Sequence, residues 1–157
     1  MKIKWRENMV NLLAESIYFP MIRLIYKTTY QPITTAYLTN CPENSLGATT
    51  LQFLNKRKLQ LIKGYELHDI KHALLEIETD VRGEILMQYF EFGNGNKSPT
   101  VWVVLIFGPL LTPEYIVDFY RSYKRGKQAK SLSDIHLENQ LSQPVLQLRK
   151  NLNILPL

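Results

Sequence analysis

The sequence predicts an all-α fold, a single domain over residues 1–157 built as a bundle of about six or seven helices. Three observations predict it. Apolar residues recur three and four positions apart along most of the chain, sustained period-two alternation is absent, and Pro, Gly and short polar residues stand where such helices would start and stop. A chain of 157 residues that is 45% hydrophobic and 21% charged can bury a core without crosslinks. Its lone cysteine, Cys41, excludes an intramolecular disulfide and a multi-cysteine zinc site.

The elements follow in order. Val10, Leu13, Ile17, Met21, Leu24 and Ile25 place one or two helices over 7–29, with Pro20 as a break. Arg23 and Lys27 flank that apolar face, so the segment could lie on a membrane, although packing on the core is the simpler reading. Pro42 and Ser45 open a second helix to about Arg57, with Leu46, Thr50, Phe53 and Leu54 on one side. A third spans about Leu59 to Ile77, with Gly64 interrupting or starting it. Thr79 and Asp80 cap a fourth that ends at Gly93-Asn94-Gly95. Ser98-Pro99 starts an apolar fifth, which Gly108-Pro109 is expected to end. Thr112-Pro113-Glu114 begins a sixth reaching about Lys124. A last helix covers about Asp134 to Leu152, with Pro144 as a kink or a boundary.

The formal charge of +5 points to anionic surfaces. No nucleic-acid signature accompanies it, because the aromatics sit in apolar periodic runs instead of among basic residues. A membrane surface is the better partner. Asn11 and Glu15 interrupt the apolar part of the basic N-terminus, which argues against a signal peptide. Val101 to Leu111, the longest apolar run, falls short of the ~20 residues of a spanning helix. These features lead to the expectation of a cytoplasmic protein peripheral to the inner membrane, with neither signal peptide nor transmembrane helix.

The chemistry concentrates in His68-Asp69-Ile70-Lys71-His72, followed after eleven residues by Glu84. At about 100° per residue, His72 lies about 40° from His68 around the helix and Asp69 about 100° away, so all three can reach one ion. Burying them without a partner is costly, which calls for a cation or a dense hydrogen-bond network. Glu84 can return from the next helix, and Gly83 would let the two backbones approach closely. Two nitrogens and two carboxylates leave coordination positions open, as in a reactive site. The competing reading is a pair of ordinary core or surface histidines, since such spacing arises often by chance. A zinc-peptidase helix would need Glu where Asp69 stands, and a His-Asp phosphohydrolase would need a histidine upstream of His68; none exists. His136, between Asp134 and Glu138, reads as a solvated surface residue. Arg121, Lys124, Arg125, Lys127 and Lys130 fall near a helix C-terminus, where cations complement the dipole, and Lys124 and Arg125 are weaker candidates for lipid headgroup contact.

The His68-Asp69-x-x-His72 motif with Glu84 resembles the signature of the ubiquinone (coenzyme Q) biosynthesis protein four family. So do Pro42-Glu43-Asn44-Ser45-Leu46-Gly47, Phe53-Leu54, Ala73-Leu74-Leu75, Thr79, Gly83, Phe90-Glu91 and Phe107-Gly108-Pro109. Glu138, Gln143, Pro144, Leu148, Arg149, Leu152 and Ile154 follow the family's C-terminal pattern. Three departures stand out. Glu76 replaces the family's glycine; on a helical wheel it falls between His72 and Asp69, where it could add a ligand, change the charge of the site or mark a changed substrate. His136-Leu137 replaces paired aromatics, and a bulky aromatic is missing near Leu141.

The resemblance implies an all-helical, peripheral membrane protein that binds polyprenylated ring intermediates and helps to organise other ubiquinone biosynthesis proteins. It also implies oxidative decarboxylation at ring carbon one. The metal would be divalent, with zinc first and iron, manganese or magnesium as alternatives, held by His68, Asp69, His72 and Glu84. Ile17, Met21 and Trp102 would line the isoprenoid tail, and a homodimer is compatible with the family. The alternative is a non-catalytic, lipid-binding scaffold in which the metal only joins two helices.

Overall fold

The computed structural model describes residues 33–156. The helix expected over 7–29, with Ile17 and Met21, lies outside the described residues. Within them the fold is all-α, as the periodicity predicts. Seven α-helices follow one another: α1 Thr35–Thr39, α2 Leu46–Arg57, α3 Glu66–Leu75, α4 Val81–Gly93, α5 Pro99–Leu111, α6 Ile116–Gln128 and α7 Val145–Asn151. Single 3-10 turns occupy Pro113–Tyr115, Leu132–Asp134 and Leu137–Gln140. The only extended pairing among the described residues is an isolated bridge between Ser45 and Pro144.

Local chemistry explains several helix boundaries. The Ser45 hydroxyl accepts from Ala48 N at 3.2 Å to start α2, and Asp80 Oδ1 accepts from Gly83 N at 2.8 Å to start α4. The expected third helix is shorter than 59–77, because Gly64 adopts a left-handed φ of 86° and keeps 58–65 out of the helix.

Two expectations need correction. Gly108-Pro109 does not end α5, which runs on to Leu111 with Pro109 inside its last turn. Proline removes the N–H that would bond the Leu105 carbonyl; the Tyr89 hydroxyl donates to that carbonyl instead, at 3.2 Å. The expected final helix from Asp134 is also absent before Val145. Residues 132–143 form 3-10 turns and loop, and Pro144 is the boundary.

The core centres on α4 and α6, which form the most extensive helix pair. Phe90 and Phe119 are fully buried there with Leu86 and Met87. The Ser122 hydroxyl donates to the Leu86 carbonyl at 2.7 Å. Gly126 permits the approach, since a Cβ there would lie 2.0 Å from the Phe90 carbonyl oxygen. The Asn94 amide ties the turn after α4 to the chain after α6. Its Nδ2 donates to the Gly126 and Lys130 carbonyls, and its Oδ1 accepts from Leu132 N.

Helix α5 lies on the outside. Trp102, Val103, Ile106, Phe107 and Leu110 are exposed, as are Ile116, Val117 and Tyr120 beyond the bend. Among the described residues no single helix is long and apolar enough to cross a membrane. Only α5 taken together with residues 113–128 has the length and composition, and the two are bent by 106°.

Candidate metal centre

Helices α3 and α4 are joined by the short turn 76–80, which makes them neighbours and brings His68 and His72 against Glu84. His68 Nε2 lies 3.2 Å from one Glu84 oxygen and His72 Nε2 3.1 Å from the other. Ligand atoms of the three residues all fall within 4.8 Å of one another. The two imidazole centroids are 4.6 Å apart. Gly83 makes the return possible: a Cβ there would sit 1.8 Å from the Glu78 carbonyl oxygen, so any other residue would push α4 away from the turn.

Each side chain is held from behind. The His72 ring is fully buried, and its Nδ1–H donates to the Ile77 carbonyl at 3.0 Å. A carbonyl can only accept, so this bond places the proton on Nδ1 and leaves Nε2 with a free lone pair. Phe53 stacks on that ring at 6.2 Å between centroids, and Tyr65 meets His68 edge-on at 6.5 Å. Arg57 covers Phe53 and forms a two-pronged ion pair with Glu78, closing the wall. Glu84 sits in the first turn of α4, where the helix dipole favours its negative charge.

His72 Nε2, His68 Nε2, one Glu84 oxygen and Asp69 Oδ2 are all buried and lack a hydrogen-bond partner with good geometry. The close N···O approaches are therefore proximity without alignment. Buried polar atoms seldom stay unsatisfied. A cation with bonds of about 2.0–2.2 Å would separate neighbouring ligand atoms by about 3 to 3.5 Å. Each imidazole stands that far from one Glu84 oxygen, and the triplet as a whole lies within 4.8 Å. The donor set of imidazole and carboxylate suits a divalent metal. The residues present fit such an ion.

Electrostatics without a cation favour a salt-bridged arrangement. Burial works against a charged His68, but the nearby carboxylates of Asp69 and Glu84 outweigh it and push His68 up to about 9. Burial likewise opposes a charged Glu84, yet His68 and His72 bring it down to about 2.

The four residues singled out from the sequence do not behave alike. His68, His72 and Glu84 converge. Asp69 stands beside them, its Oδ1 4.0 Å from His68 Nδ1, outside the converging triplet. Glu76 is not part of the centre: α3 ends at Leu75, and the Glu76 carboxylate pairs with Arg149 at 2.8 Å. The wheel position is lost because the backbone leaves the helix there.

The weaker candidates divide too. Trp102 is half exposed, with its ring 5.0 Å from Phe92. It lies near an apolar groove of about 450 Å3 lined by Tyr89, Phe92, Leu105, Ile116, Tyr120 and Tyr123. Lys124 is exposed over the Tyr120 ring. Arg125 is not at the surface: it is only 5% exposed and donates to the Leu75 and Leu155 carbonyls, so it cannot meet a headgroup as expected. His136 is solvated beside Glu138, as its polar surroundings predict. The backbone carbonyl of Ile77 escapes sequence reading altogether, because no side chain marks it.

Comparison with known proteins gives a consistent picture. The family model described as coenzyme Q (ubiquinone) biosynthesis protein Coq4 matches residues 61–157. The mitochondrial ubiquinone biosynthesis protein COQ4 homolog of Rattus norvegicus is 28% identical over 143 residues, covering 76% of this chain and 54% of that protein. Its counterpart from Coccidioides immitis is 26% identical over 166 residues, covering 91% of this chain and 58% of the relative. The chain thus spans about half the length of these curated relatives. The crystal structure of a putative ubiquinone biosynthesis protein from Nostoc punctiforme shares the fold, with a TM-score of 0.66 at 20% identity over 95% of this chain and 81% of that one.

Proposed function

This chain belongs to the coenzyme Q (ubiquinone) biosynthesis protein Coq4 family, and from that premise we propose that it serves ubiquinone biosynthesis as a metal-dependent protein acting on a polyprenylated ring precursor. The observation that carries the reading is the convergence of His68, His72 and Glu84 with buried atoms that have no other aligned partner. These three would hold a divalent ion, zinc or iron foremost, with Asp69 outside them on the Nδ1 side of His68.

When bound, the metal would supply Lewis acidity toward the ring oxygens and carboxylate. The protein's own groups do the rest. The Ile77 carbonyl holds the His72 tautomer, and Asp69 faces the back of His68. His68 and Glu84 form the open rim, with side chains 23% and 31% exposed, whereas His72 closes the floor. Substrate would therefore approach from the His68–Glu84 side. The overall conversion replaces the carboxylate at ring carbon one by hydroxyl and releases carbon dioxide. Molecular oxygen is the oxidant, and an external two-electron donor takes its second atom to water.

The apolar groove and the neighbouring Trp102 suit an isoprenoid tail, each buried methylene contributing about 0.8 kcal/mol. The exposed face from Trp102 to Tyr120 and the cations Arg121 and Lys124 suit a membrane surface, and other ubiquinone biosynthesis proteins are the natural protein partners.

Elemental analysis of the purified protein should find about one divalent metal per chain, lost in His72→Ala. Metal-loaded protein given a carboxylated prenylphenol, oxygen and a reductant should release carbon dioxide and the prenylated dihydroxybenzene that carries a hydroxyl in place of the carboxylate. Turnover unchanged in His72→Ala sinks the reading. Bound metal without any turnover leaves the scaffold.

A further inference from the structure

The C-terminus of α3 is fastened unusually well. Arg149, from α7, donates through Nε to the Leu74 carbonyl at 2.8 Å, through Nη2 to the Ala73 carbonyl at 2.8 Å and through Nη1 to the Glu76 carboxylate at 2.8 Å. Arg125 donates to the Leu75 carbonyl at 2.7 Å. Three successive terminal carbonyls are thereby taken by guanidinium N–H groups from helices 50 to 76 residues away in sequence. Cations at this end also complement the helix dipole.

Between these anchors the backbone turns left-handed at Glu76, with φ 56° and ψ 38°. An L residue with a side chain rarely adopts this conformation, and glycine adopts it freely. The turn has one consequence for the metal centre. It sends Ile77 back over the end of α3, so that Ile77 N donates to the His72 carbonyl at 3.1 Å while the Ile77 carbonyl accepts from His72 Nδ1–H at 3.0 Å. The residue that orients the buried imidazole is therefore placed by the left-handed step before it.

We infer that Glu76 and Arg149 together are positioning residues for His72. The ion pair holds a non-glycine residue in the left-handed cap, and the cap aims the Ile77 carbonyl that fixes the His72 tautomer. This inference rests on the metal reading for its significance, but not for its geometry. Glu76 thus does by a side-chain tether what glycine does by lacking a side chain, and it contributes no ligand.

The test compares the wild-type chain with Glu76→Gly, Glu76→Ala and Arg149→Gln. Both Glu76 variants remove the ion pair, but only alanine also resists the left-handed turn; the site is exposed, so both should fold. Cobalt(II) affinity by chelator competition is the first readout. Glu76→Gly should bind within about twofold of wild type, while Glu76→Ala and Arg149→Gln should lose about tenfold or more, as when the outer partner of a ligand is removed. The second readout is the His72 Nδ1 proton by nitrogen-15 NMR in metal-free protein. It should exchange slowly in wild type and Glu76→Gly and lose that protection in Glu76→Ala. A lower melting temperature in Glu76→Ala with unchanged cobalt affinity and an unchanged proton overturns the inference. If the wild-type chain itself takes up no cobalt, the metal reading fails, and the proton readout decides the positioning role alone.

Discussion

The α3–α4 pair and the α5–α6 pair are incomplete in opposite ways. In the first, polar atoms of His68, Asp69, His72 and Glu84 are buried without aligned partners, inside walls of apolar and aromatic side chains. In the second, large apolar side chains from Trp102 to Tyr120 face outward. Both depart from the usual economy of a folded protein, in which buried polar groups are satisfied and large apolar patches are covered. The contrast teaches that the two halves ask for different things: the first for a partner to its buried polar atoms, the second for an apolar environment. Helix α4 belongs to both, since Glu84 stands at its start and Tyr89 and Phe92 line the groove farther along.

If the two regions are separable, disrupting one should leave the other's property intact. The largest effect is expected for Phe119→Ala, which empties the fully buried contact of α6 with α4 and the stack on Tyr89 at 5.1 Å. Urea unfolding should show a loss of about 3–5 kcal/mol. Cobalt affinity of the folded fraction should stay within about twofold, because His68, His72 and Glu84 sit on α3 and the start of α4. A parallel loss of affinity would show the regions to be one unit.

Glu91→Gln should have an intermediate effect. Glu91 pairs with Lys71 at 2.5 Å and accepts from Asn96 at 2.8 Å, tying α3 to the far end of α4. Burial disfavours its charge, but Lys71 and Asn96 outweigh that and hold the carboxyl below its ordinary value. A lowered folded value means the stabilisation is present above the unfolded carboxylate range and fades as pH drops through the lowered value. At neutral pH the variant should lose about 2 kcal/mol, given that Lys71 is partly solvated. The difference from wild type should shrink on acidification below about pH 4, read by denaturation at stepped pH. A difference that grows with acid would contradict the pairing.

The smallest effect belongs to Leu110→Ser. Leu110 is 72% exposed at the end of α5, so folding stability should change by no more than about 0.5 kcal/mol. Binding to lipid vesicles should weaken. A large stability loss would mean that this face is covered within the chain, and the contrast between the regions would collapse.

How much of this was legible beforehand depends on the range of the interaction involved. Helix starts at Ser45 and Asp80 were readable because a cap bonds three residues on. The convergence of His68 and His72 was readable because one helical turn separates them, and Glu84 because a short turn returns α4 beside α3. The resemblance to the family was carried by the same local motifs. Gly108-Pro109 does not act as the stop its sequence suggests, because the Leu105 carbonyl that the proline frees is satisfied by Tyr89, twenty residues before Pro109. Glu76 was placed on a wheel that ends one residue before it.

The sequence alone determined the helical class, the candidate residues His68, Asp69, His72 and Glu84 and the turn that unites their two helices, since each depends on residues a few positions apart. Only the tertiary structure decided that Asp69 stands beside the triplet, that Arg125 is buried, that Arg149 clamps α3 and that the Ile77 carbonyl orients His72. Those outcomes depend on backbone dihedrals and on partners up to 76 residues away, and neither leaves a periodic trace in the chain.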